Sequence, residues 1–396
     1  MQQLTVIGGG FAGLVAAVEG AEAGARVRLY EAHGTLGGRA RTATGGYATN
    51  EGPHAFYKEG PHWTWLTRRG LTGPVAKVPL REAARLKVHR DGKLGFLPPA
   101  AALRLARRPA AAAPVDLDFH SWAAAQVGER EARAVANSLA VALFHHDIGS
   151  LSAAFVQERL RRVVRFPPEA TFVRGGWQQV VDRLAAHARG LGVHIETGAR
   201  LTELPLDDGP VVVATSLAAA RSLLGDPSLT WESGRTVLVD LALRVRRGDP
   251  YAVSDLDAPG WIERFTAADK TLAPAGESLV QAQFPVAPGQ GKAVGVERAE
   301  RLLDLGFAGW RERVLWRRTA LAAGRTGAVD RPGTTWRDRP AIDRGAGVYL
   351  AGDEVAAPGV LSEVSFNSAV EAVSLAIRAT GTGRSGRWTG VDLKRA

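Results

Sequence analysis

Three glycines near the start of the chain have the spacing of a phosphate-binding turn. Gly8, Gly10 and Gly13 form a G-x-G-x-x-G pattern directly after the apolar run Leu4 to Ile7. The first glycine permits a tight turn, the second lets a pyrophosphate approach the main chain, and the third lets a helix pack closely on a strand. Phosphate groups would lie at the N-terminus of that helix, around Ala12, where free N–H groups and the positive end of the helix dipole converge.

The elements that must hold this turn follow in the order strand, helix, strand. Apolar residues recur at helical spacing from Leu14 to Ala21, Gly24 can end the helix, and Ala25 to Glu31 alternates like a second strand. Glu31 is placed where a carboxylate can accept hydrogen bonds from both ribose hydroxyls. The unit predicts a dinucleotide site for an adenosine diphosphate moiety without a 2′-phosphate. The alternative is an ordinary glycine-rich turn.

Composition limits the remaining chemistry. The chain has 396 residues, of which 45% are apolar, enough for a sizeable core and two domains. It has no cysteine, which excludes disulfides, thiolate metal sites, cysteine nucleophiles and iron–sulfur clusters. Any redox chemistry must therefore come from a bound organic cofactor. The chain begins without a signal-peptide pattern, and we expect a cytoplasmic protein.

The positive charge of the chain does not predict a nucleic-acid partner. The net charge is +10, but the basic residues are mostly arginines scattered along the chain, without the interleaved aromatic residues that nucleic-acid surfaces use. One denser stretch, Leu103 to Pro114, follows an apolar hairpin whose turn is Asp91-Gly92. Residues 81–118 are therefore a candidate for weak membrane contact, with a solvated helix face as the alternative. The sequence gives no oligomeric state.

Further strand and helix patterns place dinucleotide-type segments at the start, middle and end of the chain. Residues 171–204 read as a glycine turn, a helix and a strand, and VVVAT at 211–215 reads as a buried strand. VYLAGDE at 348–354 is a further buried strand, followed by a helix from about Ser365 to Ala379. Residues 236–339 contain strands in tandem. Segments of the dinucleotide-binding type and the segment of tandem strands therefore alternate along the chain.

Taken together, the motifs resemble the FAD-dependent amine oxidase and phytoene desaturase superfamily. They are VIGGGFAG with Glu31, LGGRA at 36–40, GPHAFY at 52–57, GGW at 175–177, VVVAT, and LAGDEVAAPGVLSEVSFNSAVEA at 350–372. The resemblance implies an α/β fold, in which a Rossmann-type, glutathione-reductase-like FAD-binding domain carries an inserted α+β substrate domain. The implied FAD-binding domain comprises residues 1–80, 166–235 and 340–396, and the substrate domain residues 81–165 and 236–339.

The resemblance also implies roles for individual residues. Arg39, after the pair Gly37-Gly38, would neutralise the FAD pyrophosphate; a surface arginine is the alternative. Gly352-Asp353 ends a strand, and the aspartate would contact the ribityl chain or a phosphate; a plain turn aspartate is the alternative. Val360 and Leu361 would approach the flavin ring with their backbone amides.

The implied activity is hydride transfer at flavin N5. The GPHAFY and PGVLSEVSFNSAVEA segments are more similar to the phytoene desaturase and retinol saturase branch, so we expect a small apolar substrate, isoprenoid or a secondary metabolite, that is desaturated, saturated or oxidised. A flavin amine oxidase is an alternative. Members of that branch typically hold a water beside N5 with a lysine; lysine is absent here from Leu94 to Asp269 and from Ala293 to Leu393, and Lys270 or Lys292 could still serve. A flavin-binding protein without turnover is the other alternative.

Histidines complete the list of candidates. His54 follows Pro53 in the glycine-flanked loop that the resemblance places near the flavin, and its imidazole could transfer a proton near neutral pH; orienting the loop is the alternative. His145 and His146 are expected on a helix, where adjacent residues point to different faces, so we expect no metal site.

Overall fold

The computed structural model describes residues 2–43, 45–52, 55–96, 100–206 and 209–379. Its strands are β1 (Gln3–Ile7), β2 (Arg26–Glu31), β3 (Thr42–Ala43), β4 (Thr49–Asn50), β5 (Phe56–Tyr57), β6 (Val75–Ala76), β7 (Lys87–Arg90), β8 (Lys93–Gly95), β9 (Ala170–Val173), β10 (His194–Thr197), β11 (Val211–Val213), β12 (Ser233–Arg244), β13 (Ala252–Asp255), β14 (Gly260–Arg264), β15 (Glu277–Pro285), β16 (Val314–Ala328) and β17 (Val348–Leu350). Its α-helices are α1 (Phe11–Glu22), α2 (Pro61–Arg68), α3 (Leu80–Ala83), α4 (Ala100–Ala106), α5 (Phe119–Val127), α6 (Glu129–Ser138), α7 (Ala140–Leu143), α8 (Ala153–Val163), α9 (Gln178–Gly190), α10 (Leu217–Leu224), α11 (Lys292–Gly306), α12 (Trp310–Arg313) and α13 (Ser362–Ala379).

A five-stranded parallel sheet carries the glycine turn. Its strand order is β10-β2-β1-β11-β17, and every neighbouring pair is parallel. The inner strands are short apolar runs because helices cover the sheet and leave no face for water. Ile7, Val213 and Leu350 are register partners across β1, β11 and β17. The segments that follow these three strands therefore meet at one edge of the sheet, where ligands bind in open parallel sheets.

Helix α1 forms the centre of the core beside this sheet. It packs against α9 and α13, and ten consecutive residues from Phe11 to Gly20 are buried. At its start, the Phe11 ring packs edge-on against Trp177, with ring centroids 5.7 Å apart. Phe56 stacks on the same indole, with centroids 3.7 Å apart. These aromatic contacts fix the beginning of α1, and with it the glycine turn.

A seven-stranded mixed sheet forms a second layer. Its order is β16-β12-β15-β14-β13-β7-β8, and of the pairs within it only β13 with β7 is parallel. Because side chains alternate along a strand, Val237, Val239 and Leu241 of β12 share one face, which packs on α11 in an apolar cluster. Residues of opposite parity form the other face.

That second face is buried and polar. Asp240 is the register partner of Gln281, which in turn is the register partner of Glu263. On the other side, Asp240 faces Arg318. The Gln281 side chain donates to Asp240 Oδ1 at 2.8 Å, and Arg318 Nε donates to Asp240 Oδ2 at 2.8 Å. Asp240, Gln281 and Arg318, which we call the polar row, thus bond to one another across three neighbouring strands. Buried polar groups are generally paired in this way.

Helices α4 to α8 form a separate apolar cluster beside the second sheet. The largest buried side chains of this cluster include Phe119, Leu105, Leu139 and Ile148. Val329, just after β16, packs into the same cluster. The end of the long strand β16 is therefore held between the helical cluster and the parallel sheet.

The sequence patterns are confirmed for most of these elements, with one error. The hairpin at Asp91-Gly92 forms between β7 and β8, with φ of +52° and +71° at the two turn residues. The expected helix for His145 and His146 is wrong, because α7 ends at Leu143 and the chain turns at Phe144, whose φ is +52°. His145 is buried after this turn and bonds to the Asp147 carbonyl oxygen at 2.8 Å.

Candidate functional site

The glycine turn connects the end of β1 directly to α1. Gly8 has a φ of +108°, which residues with a side chain rarely adopt. A Cβ on Gly13 would lie 1.8 Å from the Gly8 carbonyl oxygen, so only glycine lets helix and strand approach this closely. A Cβ on Gly10, by contrast, would meet no described atom nearer than 3.9 Å. Gly10 thus leaves open space beside the N-terminus of α1, as the motif predicts.

Glu31 lies against this turn. Its side chain is buried, and Oε2 accepts a hydrogen bond from the Gly9 N–H at 2.7 Å. Oε1 accepts from the His33 N–H at 2.8 Å and lies 2.7 Å from His33 Nδ1. The second strand therefore brings the carboxylate to the glycine turn, while its contact with a ribose stays a prediction.

The second glycine pair packs on the first turn. The Gly37 N–H donates to the Gly9 carbonyl oxygen at 2.8 Å. Gly37 and Gly38 both have positive φ, +110° and +52°, and a Cβ on Gly38 would lie 3.5 Å from Gly10 Cα. The two glycine motifs, separated by 24 positions between Gly13 and Gly37 in the sequence, thus form one continuous backbone surface, which we call the glycine surface.

Arg39 joins this surface to the end of β17. Its Nη1 and Nη2 donate to the two carboxylate oxygens of Asp353, each at 2.5 Å. Such a bidentate pair fixes the orientation of both side chains. The resemblance implies separate contacts of these two residues with the cofactor, whereas here they contact each other. Next to Asp353, the Gly352 N–H donates to Ser368 Oγ at 2.9 Å, which ties the strand end to α13.

The loop before α13 is strained at Leu361, one of the two residues expected near the flavin. Leu361 has a φ of +54°, an unfavourable conformation for a residue with a side chain, and such strain clusters at functional sites. Val360 is fully buried, and its N–H donates to Glu363 Oε2 at 3.0 Å. The Val360 amide therefore already has an acceptor, which leaves Leu361 as the candidate for the predicted backbone contact.

Glu354 adds a titratable group to the same edge of the sheet. It is buried beside Asp353 and, with Thr215 and Gly352, lines a cavity at the ends of β11 and β17. Burial, together with the negative charge of Asp353, raises the pKa of Glu354 to about 7. Shifted titratable groups in a cleft are typical of functional sites.

A second cavity opens on another side of Asp353. The lining residues are Ala142, Leu143, Arg159, Thr326, Gly327, Ala328, Val329, Arg339, Asp353, Leu361 and Val364. This cavity, which we call the Asp353 cavity, joins the helical cluster, the end of β16 and the loop before α13.

Comparison with known proteins identifies the family. Residues 11–226 match the family of flavin containing amine oxidoreductases. The chain belongs to this family. No protein of curated function matches the chain in sequence.

Solved structures share the fold of this amine oxidoreductase family member at low sequence identity. An oxidoreductase from Methanosarcina mazei is 19% identical with a TM-score of 0.75, and the match covers 94% of this chain and 100% of that one. Cyclohexylamine oxidase from Brevibacterium oxydans is 17% identical with a TM-score of 0.68, covering 96% and 99%. Reduced UDP-galactopyranose mutase is 14% identical with a TM-score of 0.69, covering 96% of each chain.

These findings confirm the resemblance seen in the sequence. The protein is an FAD-dependent oxidoreductase with the α/β architecture expected from its motifs. The cofactor is FAD.

The glycine surface fits FAD. Open space beside Gly10 gives a pyrophosphate room to approach the backbone. Within the described residues, no side chain caps the N-terminus of α1 and no acidic residue lies in its first turn, so its N–H groups and dipole can receive phosphate. Glu31 adjoins this surface through its bond to the Gly9 N–H. Arg39 connects it to the strand end through its pair with Asp353. We therefore expect Gly8, Gly10, Ala12, Gly13, Glu31, Gly37, Gly38, Arg39, Gly352 and Asp353 to hold the cofactor.

The sequence missed the two buried arginines of the Asp353 cavity. Arg159 lies on α8 and Arg339 precedes the last strand of the parallel sheet, and only 3% and 4% of their surfaces are exposed. Nothing local distinguishes them from the other arginines of the chain, because the fold alone brings them together.

Other candidates lie away from this arrangement or outside the described residues. His54 lies outside them, so its proposed role stays a prediction. Lys270 and Lys292 are both exposed. His89, Asp255 and Asp257 place ligand atoms within 4.8 Å of one another, but His89 already pairs with Asp255 at 2.9 Å, and we assign this group no function. In the described part of the chain, no helix has the length and apolarity needed to cross a membrane.

Proposed function

We propose that this FAD-dependent oxidoreductase transfers hydride between the flavin and a carbon atom of a small substrate whose skeleton is apolar. The Asp353 cavity carries this proposal. It contains two residues expected at the cofactor, Asp353 and Leu361, together with apolar side chains such as Leu143 and Val329. FAD, when bound, supplies a hydride acceptor or donor at flavin N5.

The residues of the chain would position the substrate and keep water out. Leu143, Val329 and Val364 offer apolar surface to a hydrocarbon skeleton, and burying that surface favours binding by about 25 cal/mol per Å². Exclusion of water protects a transferred hydride from loss to solvent. The strained Leu361 would hold the loop before α13 in one position beside the substrate, since its backbone conformation is fixed by the surrounding structure.

We further propose His54 for proton transfer near the flavin, from the resemblance of the segment GPHAFY, residues 52–57, to the family. The test is a His54→Ala variant assayed over a range of pH. A catalytic imidazole predicts a strong loss of turnover and the disappearance of a titration near neutral pH. Full turnover in this variant would limit His54 to orienting the loop.

An amine oxidase is the second candidate function, favoured by the family to which the chain belongs. This activity would yield hydrogen peroxide when amines are supplied with oxygen. Lys270 and Lys292, the two lysines considered for a water beside N5, are exposed, which weakens this alternative. Because the family itself favours amines, the amine assay is a necessary part of the test.

The experiment is anaerobic reduction of the purified, FAD-loaded protein. Small apolar alcohols, alkenes and cyclic hydrocarbons, and in parallel primary and secondary amines, are mixed with the protein while the visible flavin absorbance is followed. Bleaching by an apolar compound, or reoxidation of reduced protein by an unsaturated one, supports hydride transfer to or from carbon. Bleaching by amines alone supports the amine oxidase. If dithionite bleaches the flavin and no compound does, the protein is a flavin carrier without turnover.

We also propose that residues 81–118 make a weak membrane contact. Apolar side chains are exposed in and next to this segment, with Phe96 at 66% and Leu103 at 45% exposure. Arg104, Arg107 and Arg108 adjoin Leu103 in sequence, and such a mixture favours anionic lipid surfaces. Flotation with anionic vesicles, compared with neutral vesicles, tests the contact; equal recovery with both would remove the proposal.

A further inference from the structure

An ion-pair cluster holds the strained loop before α13. The helix begins at Ser362, one residue after Leu361, and Glu363 lies in its first turn. The Glu363 carboxylate turns back on the loop and accepts from the Val360 N–H at 3.0 Å. This carboxylate is 4% exposed, so its other acceptor sites need partners within the protein. Those partners decide whether the loop is free to change its conformation.

Arg162 of α8 supplies the partners. Its Nη2 donates to Glu363 Oε1 at 2.7 Å, and its Nη1 donates to Oε2 at 3.3 Å. The same guanidinium donates through Nε to Glu169 Oε2 at 2.6 Å, and through Nη2 to Glu169 Oε1. Burial opposes the charge of Arg162, but the two carboxylates outweigh it and raise the pKa of the guanidinium. Arg162 therefore stays charged and bridges the two glutamates.

Glu169 anchors the arginine to a third part of the chain. Its side chain is 1% exposed, and Oε1 also accepts from the Glu59 N–H at 3.2 Å. Gly60 follows immediately, and a Cβ there would clash with Glu363 Oε1. The turn between β5 and α2 therefore packs directly on the Glu363 carboxylate and leaves it no room to move in that direction.

The cluster determines which backbone amide of the loop is available. The Val360 N–H is occupied by Glu363, whereas the Leu361 N–H has no hydrogen-bond acceptor among the described residues. Leu361 has a φ of +54°, a strained conformation that persists only where the surrounding structure fixes it. A Cβ on Gly359 would lie 2.6 Å from Glu363 Cβ, so the glutamate also limits the space of the loop. Glu363, held by Arg162, thus fixes the loop on its helix side.

We propose that Arg162 and Glu363 are positioning residues for the flavin, and that their ion pair, through the bond to Val360, holds the loop so that the Leu361 amide faces the cofactor. The inference deepens the proposed function and rests on it, through the predicted contact between Leu361 and the flavin ring. It does not depend on the identity of the substrate. Reduction places negative charge on the flavin, and an N–H donor beside the ring favours that form. Release of the loop should therefore weaken the binding of reduced FAD relative to oxidised FAD.

The test is the reduction potential of the bound flavin in Glu363→Ala. FAD-loaded protein is titrated anaerobically with dithionite in the presence of redox dyes, without any substrate. The substitution frees the Val360 N–H and leaves Arg162 paired with Glu169. We expect reduced FAD to bind about tenfold more weakly relative to oxidised FAD, which lowers the potential by about 30 mV. Removal of a negative charge alone would raise the potential, so the two effects differ in sign.

Glu371→Ala is the matched control. Glu371 lies about two turns further along α13, so its replacement removes the same charge from the same helix without touching the loop, and the potential should not fall. Arg162→Lys keeps the charge of the cluster but loses the planar fork that serves both glutamates. It should lower the potential by less than Glu363→Ala. FAD content and melting temperature are measured for every variant, so that cofactor loss or unfolding is recognised.

Two results would overturn the proposal: a Glu363→Ala protein that retains FAD at an unchanged or higher potential, or a Glu371→Ala protein whose potential falls equally. Should Glu363→Ala not fold or not retain FAD, Arg162→Lys decides, and an unchanged potential in that variant overturns the proposal. The proposed function fails separately, when no compound bleaches the flavin while the potential still differs between the wild type and Glu363→Ala.

Discussion

Replacing Glu263 by Gln should change how the stability of the protein depends on pH. Glu263 is buried in the second sheet, where Tyr251 Oη donates to Oε1 at 2.8 Å and Trp261 Nε1 donates to Oε2 at 3.0 Å. Burial raises its pKa from the ordinary 4.5 to about 7. The protonated form is therefore favoured in the folded protein, so the stabilisation is complete at low pH and is lost as the pH rises from about 4.5 through about 7.

The size of the effect follows from these two values. At about 1.36 kcal/mol per pH unit, ionising Glu263 in the folded state costs about 3 kcal/mol at pH 8 and under about 1 kcal/mol at pH 5. Glutamine stays neutral, and it can accept from Trp261 while donating to the Tyr251 hydroxyl. Between pH 5 and pH 8, the wild type should therefore lose about 2 kcal/mol more of its free energy of unfolding than Glu263→Gln.

The assay is urea unfolding at both pH values with saturating FAD, followed by tryptophan fluorescence. Glu354 titrates in the same range, but it is present in both proteins and cancels in the comparison. Glu203→Gln, at an exposed position, is the control and should behave as the wild type. A difference between Glu263→Gln and wild type that is equal at pH 5 and pH 8 would refute the assignment of a buried, titrating carboxyl group.

Four further substitutions test the cofactor surface and the buried ion pair. Glu31→Ala should lower FAD retention at least tenfold, measured by absorbance after gel filtration, because a charge-assisted bond contributes about 1.5–3 kcal/mol; unchanged occupancy would contradict the ribose contact. Gly10→Val should fold normally but lose FAD, since its side chain would enter open space, whereas Gly13→Ala should lower the melting temperature because its Cβ would clash with backbone. Asp330→Asn should cost about 3–5 kcal/mol in urea unfolding by leaving Arg339 unpaired; a loss below about 1 kcal/mol would mean that the pair is not desolvated.

The cofactor surface could be predicted from the sequence because its requirements are local. A glycine at Gly8 is needed for a positive φ, and a glycine at Gly13 is needed for close packing on the turn. Glu31 ends a strand that immediately follows α1, so a short stretch of chain fixes its distance from the turn. Each of these constraints acts over a few residues and therefore leaves a readable pattern.

The Asp353 cavity could not be predicted in the same way. Arg159 and Arg339 are 180 residues apart in the sequence. They line the same cavity only because α8 and the segment after β16 pack together. The pairing of Arg39 with Asp353 is likewise a long-range contact, although each residue was recognised separately. Burial and the count of hydrogen-bond partners, which pattern reading does not supply, are what distinguish these arginines from the many exposed ones.

The polar row follows a pattern that is visible in the sequences of its strands. Asp240 interrupts the apolar run VLVDLALRV, and Gln281 interrupts SLVQAQFPV, each in a strand whose neighbouring positions are buried. Since unpaired polar groups are excluded from such positions, two polar residues at matching places in paired strands predict a cross-strand bond. The Gln281 side chain and Asp240 form such a bond, at 2.8 Å.

The polar row also connects the second sheet to the cofactor-binding part of the chain. Arg318, which pairs with Asp240 at 2.7 Å, approaches Glu51 at 3.9 Å. Glu51 in turn accepts from Arg41 Nη2 at 2.8 Å, two residues after Arg39 in the second glycine motif. Because each contact joins a buried or half-buried charge to the next, the second sheet cannot move away from the glycine surface without separating ion pairs. The second sheet and the glycine surface are thus joined by charges that neither the apolar pattern nor the dinucleotide motif contains.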